Sequence, residues 1–261
     1  LPRLQAFTRA GRGDVSSHVL VTSLEEIYSE AMGKLEDPVE RVGQPGFKLA
    51  TGSLHGLRVS VALRPVGPSA LAILLEELSR LGAKVILNLD TAFALAPRLG
   101  IGTVVLATAS IKGDGVSRIY SPAEVPAVAD FELLRHIQQT LSLHNIAPEV
   151  GLVWSLDAFY LSEQFLEQGV RSYGKLALAL DMDTAALYTV SMARKLQAAS
   201  VLVVESSLPK GVERGTLYQE GEGVHERVVN VLSKLLKPLL EALTLHMEKS
   251  RAKLRQAALT Q

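Results

Sequence analysis

The stretch Leu178–Tyr188 reads Leu-Ala-Leu-Asp-Met-Asp-Thr-Ala-Ala-Leu-Tyr, an apolar strand ending in two acids that flank a methionine. Both acids fall where strand gives way to helix, so at least one of them points into a pocket. Two short acceptors around a flexible apolar side chain suit a ligand with vicinal hydroxyls and a flat ring, such as a nucleoside. The competing explanation is local, because acids at a helix N-cap or in its first turn are favoured by the helix alone. A second candidate is Phe159-Tyr160, two aromatics at a strand end, which either stack a base or fill the core.

The elements that must carry these residues alternate along the chain. His18–Thr22, 47–51 and Leu57–Leu63 read as strands, the last two joined by the turn Gly52-Ser53-Leu54-His55-Gly56. Residues 69–81 place Leu71, Ile73, Leu74, Leu78 and Leu81 at helical spacing, and Gly82 caps the helix. Strands follow at 84–89 and 103–107, then a helix over 130–143. The second half gives strands at 149–155, 175–180 and 200–204, and a helix over 184–196. A final helix over 223–257 carries the stripe Val228, Val231, Leu232, Leu235, Leu239 and Leu243, with a kink expected at Pro238. Continuous apolar strands between amphipathic helices predict an α/β fold with a mostly buried sheet and helices on both faces. The whole chain, 1–261, reads as one domain.

Composition removes several function classes. Lys plus Arg equals Asp plus Glu at 27 each, so no global field draws in nucleic acid or an anionic membrane. The absence of cysteine excludes disulfides and thiolate chemistry, and the six histidines never fall in metal-ligand spacing. No metal or other cofactor is expected. No apolar run has the length of a membrane span, and Arg3, Arg9 and Arg12 among polar residues do not make a signal peptide; a cytoplasmic protein is the expectation. Asparagine only at 88, 145 and 230, with no cysteine, points to a heat-adapted source. Gly100-Ile101-Gly102 is no dinucleotide fingerprint, and no phosphate-binding P-loop or GxSxG elbow occurs. Arg12-Gly13-Asp14 reads as a polar turn. Trp154 reads as a core or interface aromatic, His136 and His144 as exposed or capping residues, and the basic tail after Met247 as a solvated helix face.

Four segments carry a family resemblance. They are Gly67-Pro68-Ser69-Ala70; Asp114-Gly115-Val116-Ser117-Arg118-Ile119-Tyr120 with Pro126-Ala127-Val128-Ala129-Asp130; Ser155-Leu156-Asp157-Ala158-Phe159-Tyr160; and Asp181-Met182-Asp183. In this order and spacing the chain resembles the purine and uridine phosphorylase family, and the uridine branch in particular. The resemblance implies a single three-layer α/β domain with a mixed central sheet, or distorted barrel, flanked by helices. It also implies a hexamer built from dimers, and cleavage of a nucleoside by phosphate to give base and ribose 1-phosphate. Such a site must hold a phosphate dianion beneath the sugar, fix the ribose hydroxyls and stabilise charge leaving on the base. By the same resemblance Asp181, Met182 and Asp183 hold ribose and Phe159 faces the base. Ser23, Ile27, Asn88 and Thr91 occupy the phosphate-site positions, and Phe7 stands where a neighbouring subunit lends a histidine.

Several of these positions depart from the family pattern. Ile27 and Asn88 replace the two phosphate-binding arginines, Asp90 and Phe93 replace glycines, and Glu25 and Glu26 add negative charge nearby. Asp181 and Asp183 shorten two glutamates, Arg64-Pro65-Val66 replaces a glycine-rich turn, and Glu205-Ser206 stands where purine phosphorylases carry Ser-Asp. Glu163 and Phe165 replace the uridine branch's glutamine and arginine. Losing two guanidiniums forfeits charge-assisted bonds of roughly 1.5–3 kcal/mol each. The expectation is a weak or silent subunit of a homo- or hetero-hexamer with an active paralogue, able to bind a nucleoside or nucleobase but poorly able to bind phosphate. Two alternatives stay open. One is an active phosphorylase or a nucleoside hydrolase with a rebuilt anion site, using Arg64, or a neighbour's Lys48 or Arg41, as the cation and Glu25, Glu26 or Asp90 as the base. The other is a nucleoside sensor.

Overall fold

The computed structural model describes residues 4–208 and 223–259. Its strands are β1 (His18–Thr22), β2 (Glu36–Val42), β3 (Lys48–Leu54), β4 (Leu57–Leu63), β5 (Val85–Ala94), β6 (Val104–Gly113), β7 (Ala127–Val128), β8 (Glu149–Leu156), β9 (Ala179–Asp181) and β10 (Gln197–Ser207). Its helices are α1 (Glu25–Gly33), α2 (Pro68–Leu81), α3 (Gly115–Tyr120), α4 (Phe131–Leu143), α5 (Glu163–Tyr173), α6 (Thr184–Ala193) and α7 (Val224–Leu259).

One sheet holds all ten strands. Pairing runs β10-β6-β8-β9-β5, and β5 also pairs with β10, so these five strands close into a distorted barrel. From β5 the sheet continues outward through β1, β4, β3 and β2. β1, which packs on both faces, is apolar through Val19–Val21 and has every residue buried. β2 is the reverse: it is exposed along its whole length, and its acids and Pro38 suit a sheet edge.

The helices cover both faces of this sheet. Leu232, Leu235, Leu236, Leu239 and Leu243 of α7 pack against Leu20 of β1, Leu87 of β5 and the buried side of α4. On the other side α2 and α6 pack over Val19, Val21 and Ile86. α7 runs through Pro238 as one helix. Gly82 caps α2 in the left-handed conformation, φ 105°, with its N–H on Leu78 and Ser79. The β3–β4 turn is tighter than expected: the strands reach Leu54 and Leu57, leaving His55 and Gly56 at φ 52° and 75°. Two positive φ values match the right-handed twist of the flanking strands.

His136 is a correction. It is buried rather than exposed, with Nδ1 3.0 Å from His246 Nδ1, between α4 and α7. His144 does sit at the α4 C-cap, where its Nε2 lies 2.7 Å from Glu241. Trp154 is a core residue, 4.6 Å from the Tyr173 ring.

Candidate functional site

A cavity of about 230 Å³ opens where β1, β5, β9 and β10 end or bend. Ser23 and Leu24 reach it from the β1–α1 connection, Val66 from the turn before α2, and Asp90 to Phe93 from β5. Ala158 and Phe159 come from the loop after β8, Leu180 to Asp183 from the β9–α6 junction, and Glu205 from β10. Carboxyl ends of parallel strands are where α/β sheets place ligands.

One end of the cavity is built around Asp90. On β5, period-two alternation puts Asn88 and Asp90 on one face, away from Leu87 and Leu89. Asp90 Oδ1 accepts from Ser23 Oγ at 2.8 Å and from the Thr91 N–H at 3.0 Å. Oδ2 accepts from the Ser23 N–H at 3.2 Å and from Arg64 Nη2 at 3.0 Å. Two backbone amides, a hydroxyl and a guanidinium are the donor set of an oxyanion site. Here a carboxylate of the chain itself receives all four.

Arg64 directly follows β4 and its side chain is fully buried. Nη2 also donates to Asp183 Oδ2 at 2.8 Å, and Nη1 donates to the Pro65 carbonyl at 3.0 Å. Burial disfavours its charge, yet the Asp183 and Asp90 carboxylates outweigh that and hold the guanidinium protonated more firmly than usual. Asp183 is pushed above the ordinary carboxylate range by burial, which Arg64 opposes and Asp90 and Asp181 reinforce. Its second oxygen, Oδ1, is buried with no hydrogen-bond partner among the described residues.

Asp181 is spent differently. Its Oδ1 accepts from Ser155 Oγ, and its Oδ2 accepts from the Thr184 N–H and Thr184 Oγ1. Ser155 in turn accepts from the Ala185 N–H at 3.0 Å, and Thr184 Oγ1 lies 3.1 Å from Ser200 Oγ, whose hydroxyl it accepts from. Burial raises the Asp181 pKa, and the bonds from Ser155 and Thr184 work against that. Asp183 holds the N-cap position of α6 but makes no capping bond; Asp181, two residues earlier, caps the helix instead.

Glu205 closes the other side. The β10–β5 register shifts between Val204 and Ser206, so Glu205 is the extra residue of a β-bulge. A bulge re-aims a side chain, and this one lines the cavity. Burial pushes its carboxyl up to about 7, opposed by a bond from Thr91 and helped by nearby Asp90. Phe93 and Phe159 meet edge to face at 5.4 Å and form the aromatic wall, with Met182 beside them.

Of the positions singled out from sequence, Ser23, Thr91, Phe159, Asp181, Met182 and Asp183 come together here. Ile27 and Asn88 do not line the cavity. Ile27 lies in the core under α1, and Asn88 donates to Ser200 at 3.2 Å from within the sheet. Phe7 packs on Phe47 at 5.5 Å, outside the cavity. Glu25 is tied to Lys48 at 2.5 Å, Arg41 to Asp14 at 3.2 Å, and Glu26 is solvent-facing beside His225. Phe165 stacks on Trp154 at 6.1 Å. Among the described residues, no group of three or more His, Asp or Glu side chains can hold a metal, and no helix is long and apolar enough to cross a membrane.

Comparison with known proteins agrees with this geometry. The model of the phosphorylase superfamily matches residues 19–241. A uridine phosphorylase of Haemophilus influenzae is 27% identical over 223 residues, 80% of this chain and 88% of that one. A DeoD-type purine nucleoside phosphorylase of Geobacillus kaustophilus is 33% identical over 173 residues, 66% of this chain and 71% of that one. Among solved structures, a uridine phosphorylase of Vibrio fischeri superimposes with a TM-score of 0.82 at 24% identity, covering 92% of this chain and 97% of that one, which speaks for the fold.

Proposed function

The chain belongs to the phosphorylase superfamily, in its uridine and purine nucleoside phosphorylase-like part, and from that premise we propose that its cavity binds a nucleoside while Asp90 fills the place of inorganic phosphate. Phosphorolysis by the lone protein is then weak or silent. The observation that carries this reading is the Asp90 carboxylate on Ser23 and Thr91, two of the positions that the family resemblance assigns to phosphate. A dianion brought to the same donors meets a fixed negative charge. At about 4 Å and an effective dielectric near 20, each unit of like charge costs about 4 kcal/mol.

The rest of the cavity suits the other half of the ligand. Asp183 Oδ1, an acceptor without a donor, takes a ribose hydroxyl, Met182 packs under the sugar, and Phe159 faces the base. As a subunit, the chain joins a homo- or hetero-hexamer built from dimers, with an active paralogue supplying catalysis. Exposed apolar side chains such as Val39, Val42 and Ile119 support burial against other chains. Calorimetric titration with uridine, adenosine and inosine tests the binding, and base release with and without phosphate tests the silence. Saturable binding with little release is expected; rapid phosphate-dependent release by the lone protein overturns the reading.

A second reading, cleavage by water, draws support from Glu205. A carboxyl pushed up to about 7 is suited to protonate a departing base, and of the candidate general bases Glu25, Glu26 and Asp90 only Asp90 lines the cavity. Water would add to the anomeric carbon as the bond to the base nitrogen breaks, giving free ribose. Base release at a rate independent of phosphate concentration marks this route.

A further inference from the structure

Three buried histidines, one each from β1, α4 and α7, meet in the core away from the cavity. The His246 ring lies 5.1 Å from that of His136 and 5.7 Å from that of His18. Their hydrogen bonds form a chain with one direction. Gln197 donates an amide N–H to Asp130 Oδ2 at 3.1 Å, which turns its Oε1 toward His246 Nε2, 3.2 Å away. That nitrogen therefore carries a proton, and Nδ1 of the neutral ring keeps a lone pair. The 3.0 Å contact between the two Nδ1 atoms is then a bond donated by His136. His136 Nε2 is left as an acceptor, 3.4 Å from Arg135 Nη2, which can only donate. His18 completes the cluster, with Nδ1 2.9 Å from Ser17 Oγ and Nε2 buried without a partner among the described residues.

This chain has no room for another proton. One more on His246 sets two N–H groups against each other, one more on His136 faces a guanidinium, and one on His18 Nε2 meets no acceptor. Burial first, and then the charges of Lys249, Arg251, Lys253 and Arg135, hold all three rings below the ordinary imidazole range, with His18 and His136 at about 4. Asp130 and Glu132 pull the other way, and Lys84, exposed beside Ser17, adds positive charge at this end of the sheet. Among the described residues, His246 and Met247 are the last buried ones of α7. Earlier along α7 the His144–Glu241 contact ties it to α4, and past the cluster the exposed Lys253–Glu132 pair does so weakly. We infer that this histidine chain is an acid-sensitive latch, whose protonation releases the distal part of α7, from Thr244 onward, from α4 and β1 while the rest of the fold stays intact. Once released, the rings protonate at their ordinary value near 6.5, so opening becomes easier as pH falls from about 6.5 toward 4.

Because the chain has no cysteine, a nitroxide pair can be placed on Gln138→Cys in α4 and Ala252→Cys in α7, both exposed, and its separation read by pulsed electron paramagnetic resonance. The ratio of open to closed separations is expected to rise about ten-fold or more per pH unit between about 6 and 4.5. Trp154, the sole tryptophan, is buried against Tyr173, and its emission should stay constant over that range. His246→Gln keeps one donor and one acceptor without a titrating ring, and should lower the steepness by about one proton, or about ten-fold per pH unit. In the parent protein at pH 7, nitrogen NMR of the imidazoles should show His246 protonated on Nε2 alone and His136 on Nδ1 alone. A separation that stays constant in acid overturns the inference, as does opening that shifts Trp154 emission in step. An unchanged steepness in the variant, or any other proton placement at pH 7, overturns it equally.

Discussion

Asp181 and Asp183 are two residues apart, on either side of Met182, and the molecule uses them in opposite ways. Around Asp181 every oxygen is taken by the fold: Ser155 and Thr184 supply three donors, and Ser155 and Thr184 are themselves tied to Ala185 and Ser200. Around Asp183 the cluster is charged and incomplete, with Arg64 and Asp90 on one side and a bare oxygen on the other. A satisfied carboxylate is structure; an unsatisfied one lining a cavity is capacity for a ligand. Of the two local explanations of this acidic pair, the helix cap holds for Asp181, while Asp183 is left with the free acceptor that the proposed ribose contact needs.

The largest expected effect comes from breaking the charged cluster. Arg64→Met strands Asp90 and Asp183 without their shared cation, and should lower unfolding stability by about 3–5 kcal/mol in urea at pH 7. The loss should shrink in acid as the stranded carboxyls protonate. Asp181→Ala removes the acceptor for three buried donors and should cost about 2–4 kcal/mol by the same measurement. Asp183→Asn sharpens the contrast. It keeps an oxygen for Arg64, so stability should fall by less than about 1.5 kcal/mol, while nucleoside affinity drops about ten-fold or more. If Asp181→Asn harms affinity more than Asp183→Asn does, the division of labour is wrong.

The smallest effect is a pH dependence. Glu205 titrates higher in the folded protein than in the unfolded chain, so its neutral form favours folding at low pH and that contribution is lost as pH rises through about 7. Glu205→Gln should therefore match the parent near pH 4 and exceed it by roughly 1–2 kcal/mol at pH 8. Thermal unfolding of both proteins across that range reads the difference.

Much of the scaffold was legible because it follows from short-range pattern. His18–Thr22 and Leu57–Leu63 are strands as their β-branched runs imply, and Gly82 ends α2 because only glycine adopts its left-handed φ without cost. β2 escaped notice because a fully exposed edge strand of charged residues carries no hydrophobic period. Among site positions, the cavity-lining block at 181–183 and Phe159 are visible in the sequence, whereas the end around Asp90 is visible only as losses. What replaced those losses depends on contacts between residues 26 and 119 positions apart in sequence, Arg64 with Asp90 and with Asp183. Such pairing is set by the closure of β5 onto its neighbours, not by any local spacing. Glu205 is similar, since a one-residue bulge decides which way it points. His136 was misjudged because its burial comes from α7, more than a hundred residues away.

Phosphate binding by the parent protein and by Asp90→Gly, followed by calorimetry under identical conditions, tests the central claim most directly. The parent should show no saturable uptake at millimolar phosphate, while the variant, with the Ser23 and Thr91 donors and Arg64 released, should bind it measurably. Saturable binding by the parent, undiminished relative to the variant, would contradict the account.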